Sequence, residues 1–166
     1  MDGAGSADSI RAVAARGANL LLDRFASVEA TAERFALYRT ALESAGARFE
    51  PARVAVARHV FVGYGAAEIE AARARAVRQH AHMVALSRHP DRAVASHILS
   101  YADAPGASEA AALYGTPDMI VVALQRLEQA GVAYVLVNTG GTSRETLRRF
   151  ARAVMPAFSR ATTSAP

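Results

Sequence analysis

Apolar and polar positions along the second half of the chain follow a helical period, then a continuous apolar run, then a helical period again. The first helix begins after Thr116, which can cap it, and ends before Gly131. The apolar run from Val132 to Val137 predicts a strand that is covered on both faces. A second helix follows and ends near Pro156. Helix, buried strand and helix with short connections are typical of a parallel α/β fold.

The first half of the chain repeats this alternation. The predicted elements are, in order, helix 6–16, strand 18–22, a helix between 27 and 46, strand 53–62 and helix 66–88. The polar pair Arg58 and His59 interrupts the second of these strands. Residues 89–113 have only weak periodicity, and such irregular segments in compact domains are often lids or binding loops.

Three predicted strands with flanking helices indicate one α/β domain over residues 1–160, followed by a small polar tail, 161–166, that we expect to be disordered. A parallel α/β unit starts with a strand, whereas the first recognisable element here is a helix. We therefore expect the chain to begin inside a βα turn. A complete (β/α)₈ barrel typically needs about 250 residues, so 166 residues with three strands would supply less than half of one.

Composition narrows the classes of function. The net charge is +4 and every one of the 19 basic residues is Arg, but these residues are spread over several helices among Glu and Ala. A nucleic-acid interface would need them clustered with aromatic stacking partners, so we expect no nucleic-acid partner. The chain has no Cys, which excludes disulfides and thiol chemistry. With no apolar run of about 18 residues, we expect no membrane association and a cytoplasmic location.

The best candidate site is the turn Gly5–Ser6–Ala7–Asp8–Ser9, which opens the first helix. Backbone N–H groups at a helix N-terminus suit a phosphate, and the hydroxyls of Ser6 and Ser9 could add donors. The ordinary alternative is a helix that Ser6 caps, and Asp8 disfavours an anion at this position.

A second candidate is the turn Asn138–Thr139–Gly140–Gly141, which follows a predicted strand. Ligands of parallel α/β folds bind at the carboxyl ends of strands. The alternative is a tight glycine turn before the next helix. The turn is not a P-loop, because no Gly-Lys-Ser/Thr follows it.

Other polar residues give no clear catalytic pattern. The five His residues show no metal-ligand spacing, since His80 and His82 point in different directions on a helix. His97 and Tyr101 lie in the weakly periodic segment, where they could face a site or simply be solvated. The acidic residues look like helix-surface charges, so the sequence identifies no catalytic residue.

Several segments, in order along most of the chain, resemble the bacterial luciferase-like, flavin-dependent monooxygenases, which are (β/α)₈ TIM barrels. The segments are Ser6–Ala7–Asp8–Ser9 with Ala14–Ala15–Arg16–Gly17 and Leu20–Leu21–Leu22, Tyr38–Arg39 before Gly46, the strand 53–62 with Ala67–Glu68, and Tyr114–Gly115–Thr116–Pro117–Asp118 through 130–136 to 150–156. The resemblance implies that the chain is the C-terminal half of such a barrel, with about three parallel strands and flanking helices.

The resemblance also implies a reaction. Reduced FMN, supplied as a diffusible cosubstrate by a flavin reductase, and O₂ would serve to oxygenate a small organic substrate. The deazaflavin F420, the hydride carrier of a sister branch, is the alternative cofactor. In the family the Ser turn helps to hold the cofactor phosphate, a role that carries over to Ser6 and Ser9 with the backbone of Gly5 and Ala7. Ala7 stands where the family commonly has Pro.

What the chain lacks is as informative. The family's first half carries several strands, much of the flavin pocket and the catalytic side chains, and this chain has no counterpart to it. We therefore expect residues 1–160 to be inactive alone and to need a homo-oligomer or a partner chain that completes the barrel. The alternative is a non-catalytic truncated remnant or an interaction module. A complete small α/β binding protein is disfavoured by the start inside a βα turn.

Overall fold

The computed structural model describes residues 2–3, 5–87, 111–139 and 144–159. The strands and helices, in chain order, are β1 Asp2–Gly3, α1 Ala7–Ala15, β2 Leu20–Leu22, α2 Val28–Ser44, β3 Val54–Val62, α3 Ala66–Ser87, β4 Leu113–Gly115, α4 Pro117–Gln129, β5 Tyr134–Asn138 and α5 Arg144–Ala153. Short 3₁₀ helices occur at Pro51–Arg53 and Met155–Phe158. Within the described ranges, the helices are too short or too polar to cross a membrane.

The helix boundaries follow local capping chemistry, as the sequence predicts. Three side chains, one at the start of each of α1, α2 and α4, accept a hydrogen bond from the backbone N–H three residues on: Ser6, Ser27 and Thr116. Gly131 follows α4 with φ of 91°, a left-handed conformation that other residues adopt only with strain. The predicted tail, 161–166, lies outside the described residues, as do residues 89–110 of the weakly periodic segment 89–113, whose last residue, Leu113, begins β4.

All strand pairs in the described sheet are parallel, and β3 is its centre. The first part of β3 pairs with β2 on one side and with β5 on the other, while its last three residues pair with β4. β1 pairs with β2. The three predicted strands are present as β2, β3 and β5, and Arg58 and His59 do not interrupt β3. β1 and β4 were not predicted, because Asp2–Gly3 and Leu113–Gly115 lack the run of apolar residues that reveals the equally short β2.

One face of the sheet carries the hydrophobic core. Four Val side chains of β3 are fully buried there against Leu20 and Leu22 of β2: Val54, Val56, Val60 and Val62. The helices contribute Ile10, Leu42, Ile120 and Leu127 to the same cluster. Tyr38 of α2 is also buried, and its hydroxyl donates a hydrogen bond to the Ala18 carbonyl oxygen at 2.8 Å. Helices α1, α2 and α4 therefore pack on this face, as helices pack on the outside of a βα barrel.

The opposite face of the sheet, which we call the inner face, is made by Ala55, Ala57, His59 and Phe61 of β3 with Tyr134 and Leu136 of β5. The prediction that β5 is covered on both faces is wrong. Tyr134 and Leu136 are 46% and 39% exposed, whereas Val135 and Val137 pack against the core. The reason is tertiary: no element of the described chain covers the inner face at this strand.

Arg149 links the last helix to the carboxyl end of β3. Arg149 donates hydrogen bonds to the Val62 carbonyl oxygen at 3.1 Å and to the Glu68 carboxylate at 2.7 Å. Its Nε donates to Glu145 at 3.3 Å, and its guanidinium lies 5.3 Å from the centre of the Tyr64 ring. The hydrogen bond from Arg149 lowers the pKa of Glu68 below its usual value. Arg149 thus joins α5, β3 and the start of α3.

We predict that Arg149→Gln lowers the urea midpoint of unfolding clearly more than Arg148→Gln does. Both substitutions remove one positive charge from α5, but among the described residues the ion pair of Arg148 is with Glu145 alone, at 3.9 Å. Only Arg149 reaches a strand carbonyl and a carboxylate of another helix. Equal midpoints for the two variants, measured by circular dichroism, would contradict this account.

Candidate functional site

The carboxyl ends of the parallel strands define the edge at which ligands bind in folds of this type. Ser6 follows β1, Arg24 follows β2, and Asn138 ends β5, so the sheet brings these residues to one edge. His59 of β3 pairs in register with Asn138 and therefore lies at the same level. The candidate site is built from this edge.

The predicted Ser turn has a compact hydrogen-bond pattern. The Ser6 hydroxyl accepts the backbone N–H of Ser9 at 3.2 Å and donates to the Ser9 hydroxyl at 3.0 Å. The Ser9 hydroxyl donates to the Ser6 carbonyl oxygen at 2.9 Å. Asp8 is turned to an ion pair with Arg11 at 2.9 Å. Capping by Ser6 is confirmed, and phosphate binding by Gly5, Ser6, Ala7 and Ser9 stays a prediction.

The second predicted turn is only partly described. Asn138 and Thr139 close β5, while Gly140 and Gly141 lie outside the described residues. Thr139 lines a small cleft together with Phe61, Arg75, Gln79 and Tyr114. The turn therefore belongs to the same edge of the sheet as the other candidate residues.

The histidines separate into different environments. His80 of α3 packs its ring 5.1 Å from the centre of the Phe25 ring, and His82 is exposed. His97, like Tyr101, falls in the part of the chain that is not described. Within the described ranges, no group of three His, Cys, Asp or Glu residues could hold a metal ion.

Sequence reasoning missed the most distinctive pair at this edge, Arg24 and His59. Arg24 Nη1 lies 2.9 Å from His59 Nδ1 and also contacts Nε2. Arg24 Nη2 donates to the Met83 sulfur at 3.3 Å, and the guanidinium lies 4.6 Å from the centre of the Phe25 ring. A guanidinium can only donate, so the His59 nitrogen that faces it must carry a lone pair. The pair is therefore a charged Arg24 beside a neutral His59.

The pKa values of this cluster agree with its geometry. Burial, and then the charge of Arg24, lower the pKa of His59 from 6.5 to about 4. Burial also lowers the pKa of Arg24 below its usual value, although the guanidinium stays charged. Burial raises the pKa of Tyr114, and the charges of Arg24 and Arg75 lower it by less. At neutral pH the edge holds a neutral imidazole, a neutral phenol and two cations.

Asp23 shapes the turn that carries Arg24. One carboxylate oxygen of Asp23 accepts the backbone N–H groups of Phe25 at 2.8 Å and Ala26 at 3.2 Å. The other oxygen accepts from Arg34 at 2.8 Å. Because Asp23 bonds to the backbone two and three residues on, it fixes the turn in one conformation.

Arg58 of β3 holds the same turn from below. Arg58 is 1% exposed, and its guanidinium donates to the carbonyl oxygens of Asp23 at 3.2 Å and Ala26 at 3.0 Å, and to the Thr31 hydroxyl at 2.9 Å. Consecutive side chains of a strand point to opposite faces. Arg58 therefore organises the turn behind the sheet, while His59 contacts Arg24 on the inner face.

We predict that the His59 imidazole titrates near pH 4 in an NMR titration, and that Arg24→Leu raises this pKa without restoring 6.5, because burial is the larger cause. Arg11→Leu, which removes an exposed charge on α1, is the control and should leave the value unchanged. Unfolding frees His59 to bind a proton below pH 6.5, so stability should be full above that pH and fall as the pH drops from about 6.5 to about 4. A wild-type value near 6.5 would refute the assignment.

Comparison with known proteins shows which family this chain resembles. A family model described as luciferase-like monooxygenase matches residues 2–134. No curated protein matched the chain. The match covers most of the chain, and it confirms the family resemblance read from the sequence.

Solved structures match the chain over half of their own length. Monooxygenase RslO1 from Streptomyces bottropensis is 19% identical, with a TM-score of 0.68 over 95% of this chain and 47% of that one. The oxygenating constituent of 3,6-diketocamphane monooxygenase from the CAM plasmid of Pseudomonas putida, a type II Baeyer–Villiger monooxygenase in complex with FMN, is 18% identical, with a TM-score of 0.64 over 93% and 47%. An F420-dependent secondary alcohol dehydrogenase in complex with an F420–acetone adduct is 13% identical, with a TM-score of 0.68 over 95% and 48%.

These identities are low, so the structural matches establish the fold. The chain spans about half the length of each of the three structures. Parallel strands with helices packed on the outer face, matched over half of their relatives, confirm the prediction of an α/β fold that is part of a (β/α)₈ barrel.

Proposed function

This chain belongs to the luciferase-like monooxygenase family, and on that premise we propose that it is one portion of a flavin-dependent monooxygenase that uses reduced FMN and O₂ to oxygenate a small organic substrate. The observation that carries the proposal is the Ser turn at the carboxyl edge of the sheet, where it opens the nine-residue helix α1. FMN is the cofactor we propose. F420 is the alternative, since an F420-dependent dehydrogenase shares the fold.

The residues of the Ser turn fit the phosphate of such a cofactor. Ser6 and Ala7 are exposed, and the first N–H groups of a helix have no partner within the helix. The positive end of the helix dipole adds to their attraction for an anion. Asp8 would oppose a phosphate, but its carboxylate is paired with Arg11. The turn would hold the phosphate, and the bound flavin would supply the redox chemistry.

This portion contributes an orienting surface to the reaction. The Arg24 guanidinium is fixed by its contacts with His59, Phe25 and Met83, so it presents a charge of defined position at the ligand edge. His59 cannot act as an acid at neutral pH, since its pKa is about 4. The catalytic side chains are proposed to lie in the other part of the barrel, so this chain would be inactive alone.

The inner face supports a partner that completes the barrel. Tyr134 and Leu136 are large, apolar and exposed on this face, and exposed apolar patches of this kind usually mark an interface. We propose that further barrel strands cover it, from a partner chain or from a second copy of this chain. A flavin reductase would be the source of reduced FMN. A non-catalytic interaction module is the alternative that the same exposed face supports.

We predict that the purified chain binds FMN more tightly than riboflavin, which lacks the phosphate, and that Ser6→Asp removes this preference. Asp caps helices as well as Ser does, so α1 should stay folded while the new charge repels the phosphate. Ser27→Asp is the matched control, because it makes the same change at the cap of α2. Flavin fluorescence titration measures the preference. A preference that persists in Ser6→Asp would argue against the phosphate site.

We also predict that the chain alone sediments as a species larger than its 17.5 kDa monomer, because self-association would bury the exposed apolar side chains of the inner face. Leu136→Asp should shift the distribution towards monomer by placing a charge on that face. Val122→Asp on α4, where Val122 is 51% exposed, is the control and should not. Analytical ultracentrifugation distinguishes the outcomes, and a wild-type monomer would count against the proposed interface.

A further inference from the structure

The Arg24 guanidinium is half-buried, and no carboxylate of the described residues contacts it. Its polar partners are the lone-pair nitrogen of neutral His59 and the sulfur of Met83, and it stacks on Phe25. In the described part of the chain it makes no ion pair. Asp23 lies near enough to act on the pKa of Arg24, but its two carboxylate oxygens are bonded to Phe25, Ala26 and Arg34.

Such an arrangement is costly without a ligand. A charge that is removed from water is stabilised only if an opposite charge or several hydrogen bonds replace the water. Here the fold instead holds the guanidinium in place with aromatic, sulfur and imidazole contacts, and it fixes the turn beneath it through Asp23. A guanidinium that is held in place and has no carboxylate in contact among the described residues is suited to bind an anion.

Two further groups point to the same chemistry. Arg75 of α3 is exposed, and its charge and that of Arg24 both act on Tyr114 of β4. The pKa of Tyr114 is raised by burial, so its hydroxyl is a hydrogen-bond donor at neutral pH. The two clefts at this edge, one lined by Arg24 and His59 and the other by Arg75 and Tyr114, share Ala76. No carboxylate of the described residues lines either cleft.

We propose that Arg24 and the Tyr114 hydroxyl, with Arg75 at the rim, bind the anionic group of an organic ligand. The anion is a carboxylate, a sulfonate or a phosphate, and the planar guanidinium fork suits all three. This assignment adds a substrate class, organic anions, to the proposed function. That the site binds the substrate rests on the proposed function. The cofactor phosphate belongs to the Ser turn and is a separate anion.

The test uses benzoate and benzenesulfonate as anionic probes and benzamide as a neutral probe of similar shape, titrated into the full chain by calorimetry. We expect the anions to bind at least tenfold more tightly than benzamide. Arg24→Gln should abolish this preference, and Arg75→Gln should weaken it. Arg11→Gln, which alters an exposed and already paired arginine, should leave it unchanged. No anion preference in the wild type, or a preference that survives in Arg24→Gln, overturns the proposal.

A second measurement needs no variant and therefore does not depend on the folding of Arg24→Gln. Part of the depression of the His59 pKa comes from the charge of Arg24. An anion that binds Arg24 offsets this charge, so saturating benzoate should raise the His59 pKa in an NMR titration, and benzamide should not. An unchanged His59 pKa at saturating benzoate overturns the proposal.

The Ser6→Asp variant separates this site from the cofactor site. Loss of the FMN preference with intact benzoate binding supports two distinct anion sites. If Ser6→Asp abolishes benzoate binding as well, or if Arg24→Gln removes the preference for FMN over riboflavin, then Arg24 serves the cofactor phosphate and the substrate assignment fails. Benzoate binding without any FMN binding would sink the proposed function and leave the anion site standing.

Discussion

The ligand edge of this sheet depends on a guanidinium that never meets solvent. Arg58 lies in the central strand, and its partners include backbone carbonyl oxygens and the Thr31 hydroxyl. A hydrogen bond to a charged group contributes about 1.5–3 kcal/mol to stability. A buried cation is tolerated only where such bonds replace its hydration. The turn after β2 is therefore required to keep the shape that presents those carbonyl oxygens.

The consequence passes to the opposite face of the sheet through the strand itself. Arg58 and His59 are consecutive, so the same backbone that positions one guanidinium behind the sheet positions an imidazole in front of it. The turn that Arg58 secures carries Arg24, whose side chain returns to contact that imidazole. Two polar residues in an otherwise apolar strand thus connect the fold of the turn to the electrostatics of the edge.

Local chemistry made much of the fold predictable. Helix starts at Ser6, Ser27 and Thr116 depend on a side chain and the backbone three residues on, so sequence alone reveals them. The burial of β5 was not predictable in the same way. The apolar run shows that these residues form a strand. Whether Tyr134 is exposed depends on whether another element covers the inner face, and no local sequence pattern contains that information.

The candidate site also has one part that local sequence predicts and one part that it does not. The Ser turn is contiguous in sequence and was found, whereas Arg24 and His59 are 35 residues apart and meet only in the fold. The one available signal was the polar pair in a strand, which was read as an interruption. A charged residue in the middle of an apolar strand is better read as a sign that a turn from a neighbouring strand must satisfy it.

The pairing of β3 has a consequence for folding during synthesis. Its neighbour along most of one edge is β5. His59 therefore cannot pair with Asn138 until roughly 80 more residues have been synthesised. At translation rates of about 5–20 residues per second, the wait lasts about 4–16 seconds. During this interval the nascent chain exposes an unpaired, strongly apolar strand edge. We therefore expect a chaperone to bind the chain mainly at this stage of synthesis.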